Sequence, residues 1–153
     1  MFDHLKYTDE QIIKQSKSYK VGEDIFCYYI GLSYYDKSKV EKSIAWIERA
    51  INQNMKEHRF YNSLAISYDE IKDYQKAIFH YKKCIELQPS YYSAYYNLAI
   101  VYKTMGDEAE AIKWYIKSTE INPRYSYAYN NLGNIYKKNE NYPEAIKYYQ
   151  KAI

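Results

Sequence analysis

From about residue 24 onward, apolar positions recur at alternating steps of three and four, as in Tyr95, Leu98, Ala99 and Tyr102. On a helix of 3.6 residues per turn that spacing draws one apolar stripe along one face. A second stripe, Ala111, Tyr115 and Ser118, follows after the polar pair Gly106-Asp107. The same double stripe occurs one 34-residue step earlier as Tyr61, Leu64, Ala65, Tyr68, Ala77, Tyr81 and Cys84, and one step later as Tyr129, Leu132, Gly133, Tyr136, Ala145, Tyr149 and Ala152. A more divergent first copy reads Cys27, Ile30, Gly31, Tyr34, Ser43, Ile47 and Ala50. The pattern predicts first helices over about 24–37, 58–71, 92–105 and 126–139, and second helices over about 40–53, 74–87, 108–121 and 142–153.

The punctuation agrees with these limits. Asp73, Asp107 and Asn141 stand where an N-cap of each second helix is needed, and Pro143 falls in a first turn, where a missing N–H costs little. Pro89 and Pro123 close second helices; Asn54-Met55 holds the equivalent place without proline, so the first junction is expected to be looser. Gly31, Ala65, Ala99 and Gly133 form a column of small residues where paired helices must approach closely. Residues 1–23 lack the repeat; Thr8-Asp9-Glu10 followed by Ile12, Ile13 and Val21 predicts one capping helix. The second helix of the last copy has no following polar helix, so Ile146 and Ile153 are expected to face another repeat or another molecule.

An aromatic, then Leu-Gly or Leu-Ala, then Tyr, Ala, an aromatic and Pro, repeated at this period, resembles the tetratricopeptide repeat (TPR). The resemblance covers about residues 24–153, divided as 24–57, 58–91, 92–125 and 126–153. It implies an all-α, right-handed α-solenoid of four helix-turn-helix TPR repeats plus the N-terminal capping helix, expected to be part of a longer repeat array. Such a fold hosts many partners, so function must be read from its inner surface.

Composition removes several classes of function. The 22 basic and 19 acidic residues are mixed along the chain, for a net charge of +3, which is no polybasic footprint. No stretch is apolar for long enough to span a membrane or serve as a signal peptide, so the expectation is a soluble cytoplasmic protein with no membrane partner. Cys27 and Cys84 fall in core columns and read as buried free thiols; His4, His58 and His80 show no ligand spacing, so no metal and no cofactor are expected. No phosphate loop, nucleophile elbow or metalloprotease motif occurs, and no catalytic residue is assigned.

In TPR arrays the first helices line a concave groove. Here that face carries Tyr28, Tyr29, Leu32 and Tyr35, then Arg59, Asn62, Ser63, Ile66 and Asp69. The third copy adds Ser93, Tyr96, Asn97, Ile100 and Lys103, and the fourth Tyr127, Asn130, Asn131, Asn134 and Lys137. Asn97 and Asn131 share one column, and a side-chain amide, both donor and acceptor, can hold an extended peptide backbone without reading its sequence. Tyr129-Asn130-Asn131-Leu132-Gly133-Asn134 is similar to the asparagine ladder of the O-linked N-acetylglucosamine transferase repeats, although Tyr29 and Ser63 replace asparagine in the first two copies. The candidate peptide-binding residues are therefore Asn62, Tyr96, Asn97, Lys103, Tyr127, Asn130, Asn131, Asn134 and Lys137.

The carboxylate clamp of co-chaperone repeats is not reproduced. Neither register places cations in the required columns, and only Asn97 fits. Charge is polarised along the groove, with Asp36, Asp69 and Glu70 early and Lys103, Lys137 and Lys138 late, which orients a bound segment more than it adds affinity. The leading expectation is a scaffold that binds another protein in its groove, with end-to-end contact through Ile146 and Ile153. Alternatives are a substrate-recruiting segment of a larger enzyme such as a glycosyltransferase, and a single-strand nucleic-acid binder using groove tyrosines, which the low net charge disfavours.

Overall fold

In a computed structural model the chain is described at residues 8, 11, 13, 14, 22–36, 38–54 and 56–153. Eight helices follow in order: α1 (Glu23–Asp36), α2 (Val40–Gln53), α3 (His58–Glu70), α4 (Tyr74–Leu87), α5 (Tyr92–Thr104), α6 (Glu108–Ile121), α7 (Ser126–Lys138) and α8 (Tyr142–Lys151). Successive pairs form helical hairpins, and each hairpin packs on the next, so the core runs along a stack rather than around one centre. No described helix is long and apolar enough to cross a membrane. Most of the expected capping helix lies outside the described residues. At its start Thr8 N–H donates to the Gln11 side chain (2.9 Å) and Gln11 N–H donates back to Thr8 Oγ1 (3.4 Å), a reciprocal cap, and Ile13 packs against the core.

Short polar side chains set the helix starts. Asp73 accepts from Lys76 N–H, Asp107 from Glu110 N–H and Asn141 from Glu144 N–H, each replacing a partner the first turn lacks. The residue before each second-helix cap is left-handed: Ser38, Lys72, Gly106 and Glu140 have φ of 55°, 62°, 87° and 57°. Only Gly106 adopts that conformation without a steric cost. The first junction, expected to be looser, bends as the others do: Asn54 (φ −144°, ψ 89°) matches Gln88 (−141°, 83°), which precedes Pro89.

The tyrosines have a structural use on the outer side. Within each of the last three hairpins, a ring of the second helix lies near rings of the first: His80 stacks on Tyr68 at 5.4 Å, Trp114 lies 6.0 Å from Tyr95, and Tyr148 stacks on Tyr136 at 5.3 Å. Lysines cover these rings, as Lys76 covers Tyr68 at 4.9 Å. Tyr95 Oη also donates to the Pro89 carbonyl (3.0 Å), tying the inter-repeat turn to the helix that follows it. Inside, Leu64, Leu98, Leu132, Tyr81 and Tyr115 are fully buried. Two members of the small column sit in tight contact: a Cβ on Gly133 would stand 2.6 Å from the Tyr149 ring, and one on Gly31 the same distance from Ile47, so a neighbour would have to shift.

Candidate functional site: the inner groove

The concave face is built by α1, α3, α5 and α7, and its side chains meet across neighbouring hairpins. At the first junction Tyr28 Oη and Ser63 Oγ share a hydrogen bond of 3.0 Å. At the last junction, at the same 35-residue separation, Asn131 Nδ2 donates to Tyr96 Oη at 3.2 Å. The middle junction carries Asn62 and Asn97 at these two positions, and no bond joins them. Asn62 is buried, yet its Oδ1 has no partner; Asn97 is half-buried and makes no hydrogen bond with a described residue. An asparagine side chain is too short to repeat the bridge a tyrosine makes, so the middle of the groove keeps unmet hydrogen-bonding capacity.

The two asparagines of the anticipated ladder are therefore not equivalent. Asn131 also donates to the Tyr127 carbonyl (3.0 Å) and accepts from Lys103 Nζ (3.1 Å), so its amide is engaged within the protein. Tyr96, half-buried, meets Tyr115 at 5.6 Å and Tyr125 edge-on at 5.0 Å, making the last junction a packed aromatic floor. Burial pushes the Tyr125 phenol up to about 12 and raises Tyr96 as well, against the opposing hydrogen bond from Asn131. Tyr127 is exposed above this floor. Asn134 accepts from Tyr149 Oη (2.7 Å), whereas Asn130 and Lys137 are exposed and bond no described residue.

Charge is met differently at the two ends of the groove. Lys138 pairs with Glu108, which also accepts from Asn139 (2.9 Å); these bonds hold the Glu108 carboxyl below its ordinary range. They border a cavity of about 320 Å³ shared with Lys103, Gly106, Asn134 and Ile135. At the early end Asp36, Asp69 and Glu70 form no ion pair with a described residue. Burial, then the neighbouring Glu70, raises the Asp69 carboxyl; burial, then Glu70, Asp69 and Asp36, raises the Tyr35 phenol. Both cysteines are free and buried, and burial pushes the Cys27 thiol to about 11 and that of Cys84 to about 12. Among the described residues no cluster of three or more His, Cys, Asp or Glu could hold a metal.

Residues 126–153 match the tetratricopeptide repeat family model. The hairpin stack superposes on a crystal structure of MamA with a TM-score of 0.83, at 27% identity over 93% of this chain and 83% of that one. The fold is that of a tetratricopeptide solenoid. A second MamA crystal structure aligns at 26% identity and TM-score 0.80, over 94% of this chain and 76% of that one. The first TPR of Spaghetti (RPAP3), bound to the HSP90 peptide SRMEEVD, aligns at 20% identity and TM-score 0.72, over 76% of this chain and 92% of that one. Residues 65–126 also match the model of regulator of microtubule dynamics protein 1-3. No curated protein matches the chain in sequence.

Reading the groove helices in sequence finds its lining but misses what lies beneath. Asn62 and Asn97 stand in the expected columns; that Asn62 is buried and unpaired follows only from packing. Ser43, Ile47 and Ser67, which shape the floor of the early groove, belong to core columns and carry no sign of function on their own. The available signal was an exception, Ile47 in a column otherwise held by Tyr81, Tyr115 and Tyr149.

Proposed function

We propose that the chain is a protein-interaction module that holds an extended or helical segment of a partner along α1, α3, α5 and α7. The observation that carries this reading is the unfilled middle bridge: a buried Asn62 carbonyl oxygen without a partner, and the Asn97 amide equally without one, between two junctions that close their own hydrogen bonds. A peptide backbone offers both a donor and an acceptor to such a pair. The fold shared with the HSP90-peptide-bound TPR does not bring that ligand with it. The peptide SRMEEVD ends in acidic residues, whereas here Arg59 is held by Glu57 (2.9 Å), Lys138 by Glu108, and the early groove is acidic. The same charges disfavour a nucleic-acid strand.

The test is selection of a phage-displayed random dodecapeptide library on the full chain, followed by calorimetry with synthetic peptides. Asn97→Ala is expected to weaken them by about 1–3 kcal/mol with unchanged helicity, since the amide is outside the core. Failure to enrich any peptide, or enriched peptides indifferent to Asn97→Ala, removes the groove from the account. The reading of a recruiting segment within a larger enzyme uses the same groove and differs only in what is delivered there.

A second contact surface is proposed on α8. Ile146 stands in the column of Ile44, Ile78 and Ile112, which are covered or partly covered, yet it is 56% exposed, beside exposed Tyr142 and with Ile153 fully open. This face fits a helix of a second copy stacked end to end. Sedimentation velocity is expected to show concentration-dependent association that Ile146→Lys with Ile153→Lys abolishes; a wild-type chain monomeric at high concentration refutes it.

A further inference from the structure

Beneath the early groove, between α1, α2 and α3, lies an open cavity of about 190 Å³ lined by Leu32, Tyr35, Ser43, Ile47, Ser63, Ile66 and Ser67. Two missing volumes create it. Ile47 stands where the next two repeats bury whole rings, Tyr81 and Tyr115, and Ser67 stands where the third and fourth repeats place Val101 and Ile135. Close-packed interiors rarely keep a void of this size. The walls are apolar, because the serine hydroxyls already have partners: Ser43 with Ser67 (3.4 Å), Ser67 with the Ser63 carbonyl (3.1 Å), and Ser63 with Tyr28 (3.0 Å). An apolar cavity of roughly 150 Å³ stays dry and takes a benzene-sized group. One side chain of the size of Leu, Met or Phe fits this one.

The rim supplies the sign of the charge that belongs beside that side chain. Tyr35, on the wall, lies within electrostatic reach of Asp36, Asp69 and Glu70, which have no cationic partner among the described residues. Elsewhere in the groove Arg59 is matched by Glu57 and Lys138 by Glu108, while Lys103 reaches only the Asn131 amide oxygen at the late end. The unmatched negative charge of the groove thus coincides with its unfilled apolar volume. Resting on the peptide-groove reading above, we propose that this cavity anchors one aliphatic or aromatic side chain of the partner segment, and that the segment carries Lys or Arg next to that anchor. The carboxylates exclude acidic tails and draw basic segments in, while the cavity fixes their register.

The peptides selected on the full chain provide the test. Ile47→Tyr restores the ring of the other repeats and fills the cavity, with Gly31 leaving room as Gly133 does beneath Tyr149. Peptides with an apolar residue beside Lys or Arg are expected to dominate, to bind Ile47→Tyr at least tenfold more weakly, and to lose several-fold affinity to Asp69→Asn/Glu70→Gln. If circular dichroism shows Ile47→Tyr misfolded, Leu32→Asn, which copies Asn134 of the fourth repeat onto the cavity wall, takes its place with the same expected loss. Peptides that are sensitive to Asn97→Ala but bind both cavity variants as wild type, or that lack basic residues, overturn this inference and leave the groove reading standing. Absence of any enriched peptide overturns both.

Discussion

The first and last junctions of the solenoid use one backbone plan and reach opposite results. At the last, Tyr96, Tyr115 and Tyr125 fill the floor, Asn131 links Tyr96 to Lys103, and Lys138 is matched by Glu108. At the first, Ile47 and Ser67 leave a cavity, and the carboxylates above it are unmatched. The helices and turns of the two ends are otherwise alike, although Lys39 does not cap α2 as Asn141 caps α8. A repeat that departs from its pattern in core columns, while the hairpin survives, has exchanged packing for a surface that can receive something. The middle junction repeats the lesson in hydrogen bonds: shortening a tyrosine to Asn62 leaves a bridge open without moving a helix.

The strongest way to break the comparison is to exchange the junctions' core. Tyr115→Ala, which empties a fully buried ring site at the packed end, is expected to cost about 3–5 kcal/mol in urea unfolding with the slope unchanged. Ile47→Tyr, in the same column at the open end, is expected to gain about 0.5–2 kcal/mol. If Ile47→Tyr instead destabilises as Tyr115→Ala does, the cavity is not unfilled space and the contrast between the ends fails.

A smaller effect sharpens it by pH. Both thiols lie in the early and middle repeats, and both are held neutral by burial, with folded values of about 11 and 12 above an ordinary 9.0. Because the folded values are raised, their contribution is fully present below about pH 9 and is lost as pH rises through 11 and 12. The urea midpoint of wild type is therefore expected to fall more steeply between pH 8 and 11 than that of Cys27→Ala/Cys84→Ala. Parallel curves would show that the thiols ionise freely in the fold. Native protein at pH 8 should also resist iodoacetamide at both positions, by mass spectrometry.

The smallest effect concerns the turns, where the two ends should behave alike. Ser38 and Glu140 both hold a left-handed backbone that glycine adopts freely. Ser38→Gly and Glu140→Gly are each expected to stabilise by up to about 1 kcal/mol, in equal measure, by the shift of thermal midpoint. An unequal pair would mean that the ends differ in backbone strain as well as in packing.

Helix limits, hairpin turns, caps and the close approach at Gly31 and Gly133 were legible from the sequence, because each rests on interactions within a few residues or on a periodicity of the chain itself. Asp73, Asp107 and Asn141 cap where their spacing says, and the groove columns follow from helical period alone. Tertiary structure decided what those columns do. Asn97 and Asn131 look identical in sequence; the reach of Tyr96 and Lys103 across the junction, with the Tyr127 carbonyl, engages one and leaves the other open. Ile47 and Ser67 are unremarkable core residues until α1, α2 and α3 are packed together, when their missing volume becomes a cavity facing the groove. Hydrogen-bond satisfaction and void space are properties of side chains brought together from different helices and neighbouring repeats, and no local pattern encodes whether the last ångström between them is filled.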